Sequence, residues 1–361
     1  MPTLAELQRA PDAPADPPPG LRLPLQRATT VDTPAFRGLT FLEVETKSAL
    51  NKVSGMPFGW SINPYRGCSH ACVYCFARPT HEYLNLTATT DFDTKIVVKT
   101  NIVEVLAREL ARPSWKGEHV ALGTNVDPYQ RAEGRYELMP GIIRALTTSW
   151  TPFSILTKGT LITRDTEGLR VAAEKVGATA TLTIGMLDEE VWRQTEPGTP
   201  SPRARLEAVA RLNASGIPTG VMLAPIMPGL NDDPGQLAAV TEAAVEAGAT
   251  HVTPITLHLR PKVKEAFWPW LVATYPNLLR TYEELYGQPQ ARGRATLPED
   301  AAAPLVSVVR RTRAAAWTRH GRMPDPAQWP RRPDGPENPS GHTTPAAAPS
   351  AARAEQLSLL P

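Results

Sequence analysis

This sequence has few cysteines, a small net charge and no long apolar run. Its 361 residues include three cysteines, and the formal net charge at pH 7 is +2. The three cysteines fall close together, so no thiol remains elsewhere to form a structural disulfide. A charge this small does not by itself indicate a nucleic-acid partner. The sequence also has no apolar stretch near the roughly 18 residues of a membrane span, and no secretory signal pattern. We therefore expect a cytoplasmic protein without a membrane anchor.

Proline is concentrated at the two ends of the sequence. Seven prolines occur in the first 24 residues, and nine more lie from position 324 to the end. Proline-rich tracts bury too little apolar surface to fold alone. The composition therefore predicts largely disordered segments over residues 1–40 and 326–361. Between them we expect one core domain, residues 54–290, followed by an arginine-rich helical extension, residues 291–325.

The three cysteines form one short Cys-x3-Cys-x2-Cys loop, at Cys68, Cys72 and Cys75. Thiolates this close repel one another unless a metal keeps them deprotonated, so the grouping indicates metal binding. Structural zinc takes a closed set of four ligands, and His70 or His81 could supply the fourth. Three thiolates on a cubane iron–sulfur cluster instead leave one iron open to a bound molecule. The asymmetry favours the cluster, and a Cys3His zinc site that serves a structural or nucleic-acid-binding protein is the alternative.

Downstream of this loop the hydrophobic pattern alternates between strands and helices. Six strands are predicted, at Phe58–Asn63, His119–Gly123, Phe153–Thr157, Ala178–Met186, Thr219–Ala224 and His251–Ile255. Helices are predicted between them, at Asn101–Ala111, Met139–Thr148, Pro202–Ala214 and Asp233–Ala247, with a further helix capped by Asp165. Strands separated by helices need right-handed parallel crossovers, which place functional loops at the carboxyl ends of the strands. The pattern alone does not distinguish an open barrel from a flat doubly wound sheet.

The cysteine spacing and several strand-end segments resemble the radical S-adenosylmethionine (radical SAM) superfamily, and within it the spore photoproduct lyase-related branch. The similar segments are Asn63–Cys68, Cys72–Cys75, Gly123–Gln130, Thr157-Lys158, Glu196-Pro197 and Ala224–Asp232. The resemblance extends over residues 55–285. It implies an α/β fold with a partial (β/α)6 radical SAM barrel, flanked by the proline-rich tails.

This resemblance implies a radical SAM enzyme. Its cofactors would be a [4Fe-4S] cluster on Cys68, Cys72 and Cys75, and S-adenosylmethionine, which in the family chelates the open iron. One electron from a partner such as a flavodoxin or ferredoxin would cleave the sulfonium and give a 5′-deoxyadenosyl radical.

The resemblance also implies a set of cofactor-binding residues at the strand ends. They are Tyr74 beside the adenine, Gly123, Thr124 and Asn125 at the methionyl amino group, Lys158 at the carboxylate, Thr183 at the ribose, Glu196 and Arg205 as a charged pair near the cofactor, and Pro225 beneath the adenine. The residue types alone leave simpler alternatives open. The segment after Gly123 could be an ordinary polar turn, Lys158 could end its strand in solvent, and the charged pair could be purely structural.

The sequence does not identify the substrate. The lyase of this branch uses a cysteine outside its cluster as hydrogen donor, and this chain has no fourth cysteine. Phe76, after the third cysteine, also offers no phenol for a relay, so we do not expect thymine-dimer repair. Residues 291–332 contain nine arginines, which prompt the hypothesis of a nucleic-acid substrate. A solvated helix face is the alternative explanation for these arginines.

Overall fold

The β-structure of the described chain forms two sheets. The computed structural model describes residues 13–14, 16–22, 24–31, 36, 38–287 and 293–321. Its strands are β1 (Ala13–Pro14), β2 (Leu25–Val31), β3 (Leu39–Val44), β4 (Leu50–Lys52), β5 (Trp60–Ile62), β6 (Tyr65–Arg66), β7 (Lys95–Lys99), β8 (Val120–Leu122), β9 (Phe153–Thr157), β10 (Thr179–Thr183), β11 (Thr219–Ile226) and β12 (Val252–Thr256).

The larger sheet has seven strands, in the order β12-β11-β10-β9-β8-β5-β4. The strands from β5 to β12 within it run parallel, each beside its predecessor in the sheet, and β4 pairs antiparallel with β5. The sheet does not close on itself, so β4 and β12 form its two edges. This arrangement confirms the predicted α/β fold with six parallel strands in a partial barrel. The carboxyl ends of those strands therefore meet at one end of the sheet.

Helices connect the parallel strands, and three further helices follow the last of these strands. They are α1 (Thr90–Thr94), α2 (Ile102–Leu110), α3 (Glu133–Tyr136), α4 (Leu138–Thr148), α5 (Thr166–Val176), α6 (Glu189–Thr195), α7 (Pro202–Ala214), α8 (Pro234–Glu246), α9 (Pro261–Thr274), α10 (Leu279–Tyr286) and α11 (Glu299–Arg319). Three 3-10 helices lie at Arg78–Leu84, Thr160–Asp165 and Pro276–Leu278.

Local sequence signals explain where several helices begin. Ser201 and Asp233 cap α7 and α8 with their side chains, and a proline follows each cap in the first turn. The predicted cap at Asp165 is different, because its side chain makes no bond to the first turn of α5. Its carboxylate instead accepts hydrogen bonds from Arg164 and Tyr129. Asp165 therefore precedes the helix without capping it.

The main core lies between the large sheet and its helices. Phe153 and Ile155 of β9 are buried at alternate positions, as expected for a strand with one face inward. Leu106 and Leu110 of α2 are buried at helical spacing. All four side chains belong to the same apolar cluster.

A second sheet of five strands, in the order β1-β2-β3-β7-β6, leads directly into the cysteine loop. β3 runs parallel to β7, whereas β2 and β6 pair antiparallel with their neighbours. The prediction that residues 1–40 are largely disordered is therefore wrong for Leu25–Val31 and for the start of β3. Seven of the eight prolines of this region precede β2, which contains none and buries Val31 completely. Residues 1–12 lie outside the described residues.

The arginine-rich extension contains helix α11, as predicted. This helix packs along α8 and β12, and Arg313 Nη1 donates a hydrogen bond to the carbonyl oxygen of Val252 at 2.8 Å. The predicted disordered tail, residues 326–361, lies outside the described residues. Within the described ranges, no helix has both the length and the apolar character to span a bilayer.

Candidate active site

The three cysteines lie in one loop that follows β5 and β6. Three backbone hydrogen bonds tie this loop to neighbouring segments: Cys68 N–H to Phe92 O (2.9 Å), Val73 N–H to Thr195 O (3.0 Å) and Gly198 N–H to His70 O (3.0 Å). A Cβ at Gly198 would overlap the carbonyl oxygen of Ser69, so only glycine allows this close approach. The loop is therefore framed by α1 on one side and by the chain around α6 on the other.

Two buried side chains, Gln130 and Arg78, hold the backbone of the loop. Gln130 accepts from Ser69 N–H at 2.9 Å and donates to the carbonyl oxygen of Gly67 at 2.9 Å. Arg78 donates from Nε and Nη2 to the carbonyl oxygen of Cys72, at 3.1 and 2.9 Å. Sequence analysis assigned no role to either residue, because most of their partners are backbone atoms that leave no pattern in the sequence. The protein itself thus fixes the path of the loop.

The three thiols are poor acids in this environment. Cys68 and Cys72 are buried and Cys75 is partly buried. Burial raises the pKa of all three thiols, to about 12 for Cys72, and the nearby Cys75 thiol raises it further for Cys68 and Cys72. Three thiolates would therefore persist here only with a metal bound to them.

The two histidines nearest the cysteines in the sequence, His70 and His81, have partners of their own. Within the described residues, no three His, Cys, Asp or Glu side chains converge on a point where one metal ion would bind. A Cys3His zinc site requires such convergence, whereas a cubane cluster takes each thiolate at a different iron. His70 Nδ1 instead lies 3.3 Å from Asp127 Oδ2, and His81 Nε2 donates to the carbonyl oxygen of Lys95 at 3.0 Å. Each of the two candidate fourth ligands for zinc therefore has a polar contact elsewhere in the fold.

The end of β8 lies beside the start of the cysteine loop. Gly123 has a φ of +88°, and a Cβ there would overlap the carbonyl oxygen of Leu156, so the position requires glycine. Thr124 is half-buried and Asn125 is exposed. The N–H of Asn125 donates to Asn63 Oδ1 at 3.2 Å. Asn125 therefore contacts the segment that leads into the loop, at the end of the sheet where the predicted site lies.

A buried charged network lies directly next to Cys72. The Tyr74 hydroxyl donates to Glu196 Oε1, and Arg205 Nη2 donates to Glu196 Oε2 at 2.6 Å. Lys158 Nζ lies 5.6 Å from the centroid of the Tyr74 ring. Burial alone would raise the pKa of Glu196, but Arg205 and Lys158 together hold it below its usual value. Burial opposes charge on Lys158 as well, and nearby Glu196 nevertheless raises its pKa.

The structure thus brings four of the predicted residues, Tyr74, Lys158, Glu196 and Arg205, into one group. Lys158 does not end its strand in open solvent, and the pair of Glu196 and Arg205 is a direct ion pair, as the structural alternative anticipated. Arg205 also donates from Nη1 to the carbonyl oxygen of Thr183 at 2.7 Å, so Thr183 belongs to the same region. Glu196 thus lies near the positive charges of Arg205 and Lys158, which offset the effect of burial on its carboxylate.

Pro225 lies at the end of β11 and is buried. Its carbonyl oxygen accepts from Asn231 Nδ2 at 3.0 Å, and the same nitrogen donates to the carbonyl oxygen of Gly185 at 2.8 Å. Asn231 therefore holds the ends of β10 and β11 together. Sequence analysis placed Asn231 in this segment but assigned it no role.

Comparisons with known proteins find one matching family model and several uncharacterised relatives. Residues 62–239 match the family model described as the radical SAM superfamily. An uncharacterised protein of Mycobacterium tuberculosis is 52% identical over 272 residues, which cover 74% of this chain and 79% of that protein. An uncharacterised protein of Methanocaldococcus jannaschii is 27% identical over 195 residues, which cover 54% of this chain and 70% of that protein.

Solved structures of spore photoproduct lyase share the fold. The lyase complexed with dinucleoside spore photoproduct has a TM-score of 0.58 and 16% identity, over 77% of this chain and 80% of that chain. A variant with bound AdoMet and dinucleoside spore photoproduct has a TM-score of 0.57 and 15% identity over the same shares. Similarity at this level of identity establishes a common architecture.

Proposed function

The chain belongs to the radical SAM superfamily, and we propose that it uses a [4Fe-4S] cluster to cleave S-adenosylmethionine reductively and to begin radical chemistry on a substrate. The observation that carries this proposal is the loop of three cysteines at the carboxyl ends of the parallel strands, with the half-buried Lys158 and the buried Tyr74 beside it. Such a loop presents three thiolates and leaves a fourth coordination position to a ligand.

Cys68, Cys72 and Cys75 would hold the cluster, while Arg78 and Gln130 keep the loop backbone in place. When bound, the reduced cluster would give one electron to S-adenosylmethionine, whose carbon–sulfur bond would break to yield methionine and a 5′-deoxyadenosyl radical. The contribution of the protein is binding, orientation and exclusion of water. The burial of Cys68 and Cys72 supports that role.

Lys158 would bind the carboxylate of S-adenosylmethionine, because its ammonium is a flexible point charge beside Tyr74. Glu196 accepts from the Tyr74 hydroxyl and so fixes the ring that would lie against the adenine. Arg205 keeps Glu196 ionised by direct contact. The cofactor therefore meets a face whose charges are already paired and oriented.

The remaining candidates would complete the cofactor contacts from neighbouring strand ends. Gly123, Thr124 and Asn125 would receive the methionyl amino group, Thr183 the ribose, and Pro225 the adenine. Their positions at the ends of β8, β10 and β11 support these assignments. We further propose that a flavodoxin or ferredoxin donates the electron, and that the protein works in the cytoplasm, where thiols stay reduced.

The hydrogen-transfer step after radical formation would not use a thiol of this chain. All three cysteines lie in the cluster loop, so the sequence provides no separate cysteine as hydrogen donor. This feature separates the proposed chemistry from a repair reaction that ends on a protein thiol.

The arginine-rich extension supports a nucleic acid as the substrate class. The fold reduces the number of arginines that are free of contacts within the protein. Arg313 donates to the carbonyl oxygen of Val252, and Arg319 pairs with Glu242 on the surface, so both already have partners within the protein. Arg310 and Arg311 are exposed. Binding to a single-stranded or duplex oligonucleotide measured from 50 to 200 mM salt tests the idea, because contacts to several phosphates make affinity fall steeply with salt. A flat response would remove nucleic acid as the substrate class.

Anaerobic reconstitution tests the proposed function directly. The full chain should bind iron and sulfide, and after reduction with dithionite it should convert S-adenosylmethionine to 5′-deoxyadenosine and methionine. The Cys72→Ala variant should lose that product and most of the iron. Purified protein with one zinc and no sulfide, or product formation that survives the Cys72→Ala substitution, would contradict the proposal.

A further inference from the structure

Asp127 is a buried carboxylate between the cysteine loop and the end of β9, and it belongs to neither the candidate cluster ligands nor the candidate cofactor contacts. Its Oδ1 accepts from Tyr129 N–H at 2.9 Å and from the Thr157 hydroxyl at 2.6 Å. Its Oδ2 accepts from Lys158 N–H at 2.6 Å and lies 3.3 Å from His70 Nδ1. The side chain is 10% exposed. Both oxygens are therefore engaged.

The partners of Asp127 belong to different parts of the fold. His70 lies between Cys68 and Cys72, whereas Lys158 follows the last residue of β9. A single carboxylate therefore connects the cluster loop to the strand end that carries the lysine.

We propose that Asp127 is a positioning residue that sets the cysteine loop relative to Lys158, and hence the cluster relative to the carboxylate of S-adenosylmethionine. This inference rests on the proposed function for its cofactors. Its geometric part, the connection between the two segments, depends only on the chain itself.

The connection matters because the lysine side chain is long and flexible. The hydrogen bond from Lys158 N–H fixes the point from which that side chain starts. Its ammonium then lies over the ring of Tyr74, which is itself part of the cysteine loop. A shift of the loop against β9 would therefore change the distance from the cluster to the lysine, and the site would no longer match its cofactor.

Asparagine at position 127 has nearly the same size as aspartate but only one accepting oxygen. Its amide nitrogen is a donor, so Asp127→Asn can accept on only one side, either from Tyr129 and Thr157 or from Lys158 and His70, and the other pair loses its acceptor. Glu109→Gln is a matched control, since Glu109 is also buried and accepts from the N–H groups of Ala49 and Leu50, at 3.0 and 2.8 Å. Each substitution removes one charge from a buried acceptor of backbone hydrogen bonds.

Hydrogen–deuterium exchange on the full chain, with and without cluster, tests the connection. In Asp127→Asn the amides of residues 66–76 and of residues 157–160 should both exchange faster, while Glu109→Gln leaves both segments as in the wild type. Thr157→Val removes one donor to Asp127 and should give a smaller change in the same two segments, which covers the case that Asp127→Asn does not fold. Unchanged exchange in either segment, or equal changes in the control, would overturn the inference.

Cofactor binding provides a second measurement. Asp127→Asn should retain cluster iron but bind S-adenosylmethionine about 10-fold or more weakly than the wild type. Addition of S-adenosylmethionine should also change the EPR signal of the reduced cluster less in this variant. Wild-type affinity and a wild-type EPR change in this variant would contradict the positioning role. A wild-type protein that forms neither cluster nor 5′-deoxyadenosine would instead refute the proposed function, and the exchange experiment on metal-free protein would still decide the role of Asp127.

Discussion

Arg78 directs its whole guanidinium group at the chain around the cysteine loop. Besides Cys72, it donates from Nη1 to the carbonyl oxygens of Ala88 and Thr89, and from Nη2 to Asp93 Oδ2 at 2.9 Å. A lysine in its place has one charged nitrogen and no planar fork, so it cannot make these bonds together. The arginine is therefore specific for this position.

We expect Arg78→Lys to loosen the cluster loop. Reconstituted protein should lose iron to a chelator about 10-fold faster than the wild type, because groups that hold metal ligands in place commonly contribute 10- to 100-fold to affinity. Arg170→Lys is the control, since Arg170 lies on the exposed face of α5 and pairs with Glu167 and Glu174. Equal rates of iron loss in the two variants would argue against a role for Arg78 in holding the loop.

Loss of the ion pair between Glu196 and Arg205 should lower the free energy of unfolding more than loss of a surface ion pair. Both side chains are 1% exposed, so Glu196→Gln leaves a buried guanidinium without its counter-charge. We expect a loss of about 3–5 kcal/mol in the free energy of unfolding, measured with urea on metal-free protein. Glu189→Gln breaks an exposed pair with Arg193 and should cost less than about 1 kcal/mol. Similar losses in both variants would mean that the buried pair is not a structural unit.

Among the elements, the turn after β8 depends on the absence of a side chain at Gly123. Gly216, after α7, also has a positive φ, +80°, but nothing lies within 4 Å of a Cβ built there. Gly216→Ala should therefore cost about 1 kcal/mol through backbone conformation alone. Gly123→Ala must in addition displace the backbone at Leu156, which should add roughly 1–3 kcal/mol. Urea unfolding of the two variants measures the difference, and equal costs would show that β9 yields easily.

The strands and helices of the large sheet could be predicted because their apolar residues repeat at regular spacing. The predicted strand at Phe153–Thr157 coincides with β9, and the predicted helix at Pro202–Ala214 coincides with α7. The strand β2 was missed because the prolines that precede it dominate the composition of the whole N-terminal segment. Composition describes a region, whereas a strand requires only a few suitable residues.

The candidate site was predictable only as far as the residues carry a local pattern. The spacing of the cysteines is recognisable in the sequence alone, and the resemblance to the radical SAM superfamily pointed to Lys158 and Glu196. The contact of His70 with Asp127 joins positions far apart in the chain, and nothing in either local sequence indicates the partner. The same holds for Arg78, whose partners are mostly carbonyl oxygens. Such contacts become visible only once the strand ends have been brought together.

At the scale of the whole molecule, His251 makes stability depend on pH. The His251 ring lies against Gly220 of β11, and its Nε2 is 3.2 Å from the hydroxyl of Thr181 in β10. His251 therefore contacts two neighbouring strands of the sheet. Burial, with a contribution from the positive charge of Arg313, lowers the pKa of His251 to about 4. The unfolded chain therefore binds a proton at higher pH than the folded protein does.

Because the folded-state pKa lies below the ordinary value of 6.5, stability should be lost as pH falls from 6.5 towards 4. The His251 contribution to this loss should reach about 3 kcal/mol. Urea unfolding at several pH values, for the wild type and His251→Gln, measures it. The variant should be less stable at pH 7 because it loses the ring, and its stability should change less between pH 6.5 and 4. Parallel pH profiles would show that His251 titrates normally.

The open sheet has a further consequence at its β12 edge, which α11 covers. An uncovered edge strand presents free N–H and C=O groups that pair readily with another chain. Removal of residues from 299 onward would expose β12 together with the apolar face of α8 that contacts α11. We expect such a truncated protein to aggregate on expression, and light scattering would detect the growth of its particles with concentration. A truncated chain that stays monodisperse would show that α11 is dispensable for solubility. The C-terminal extension would then have a role other than protecting the β12 edge.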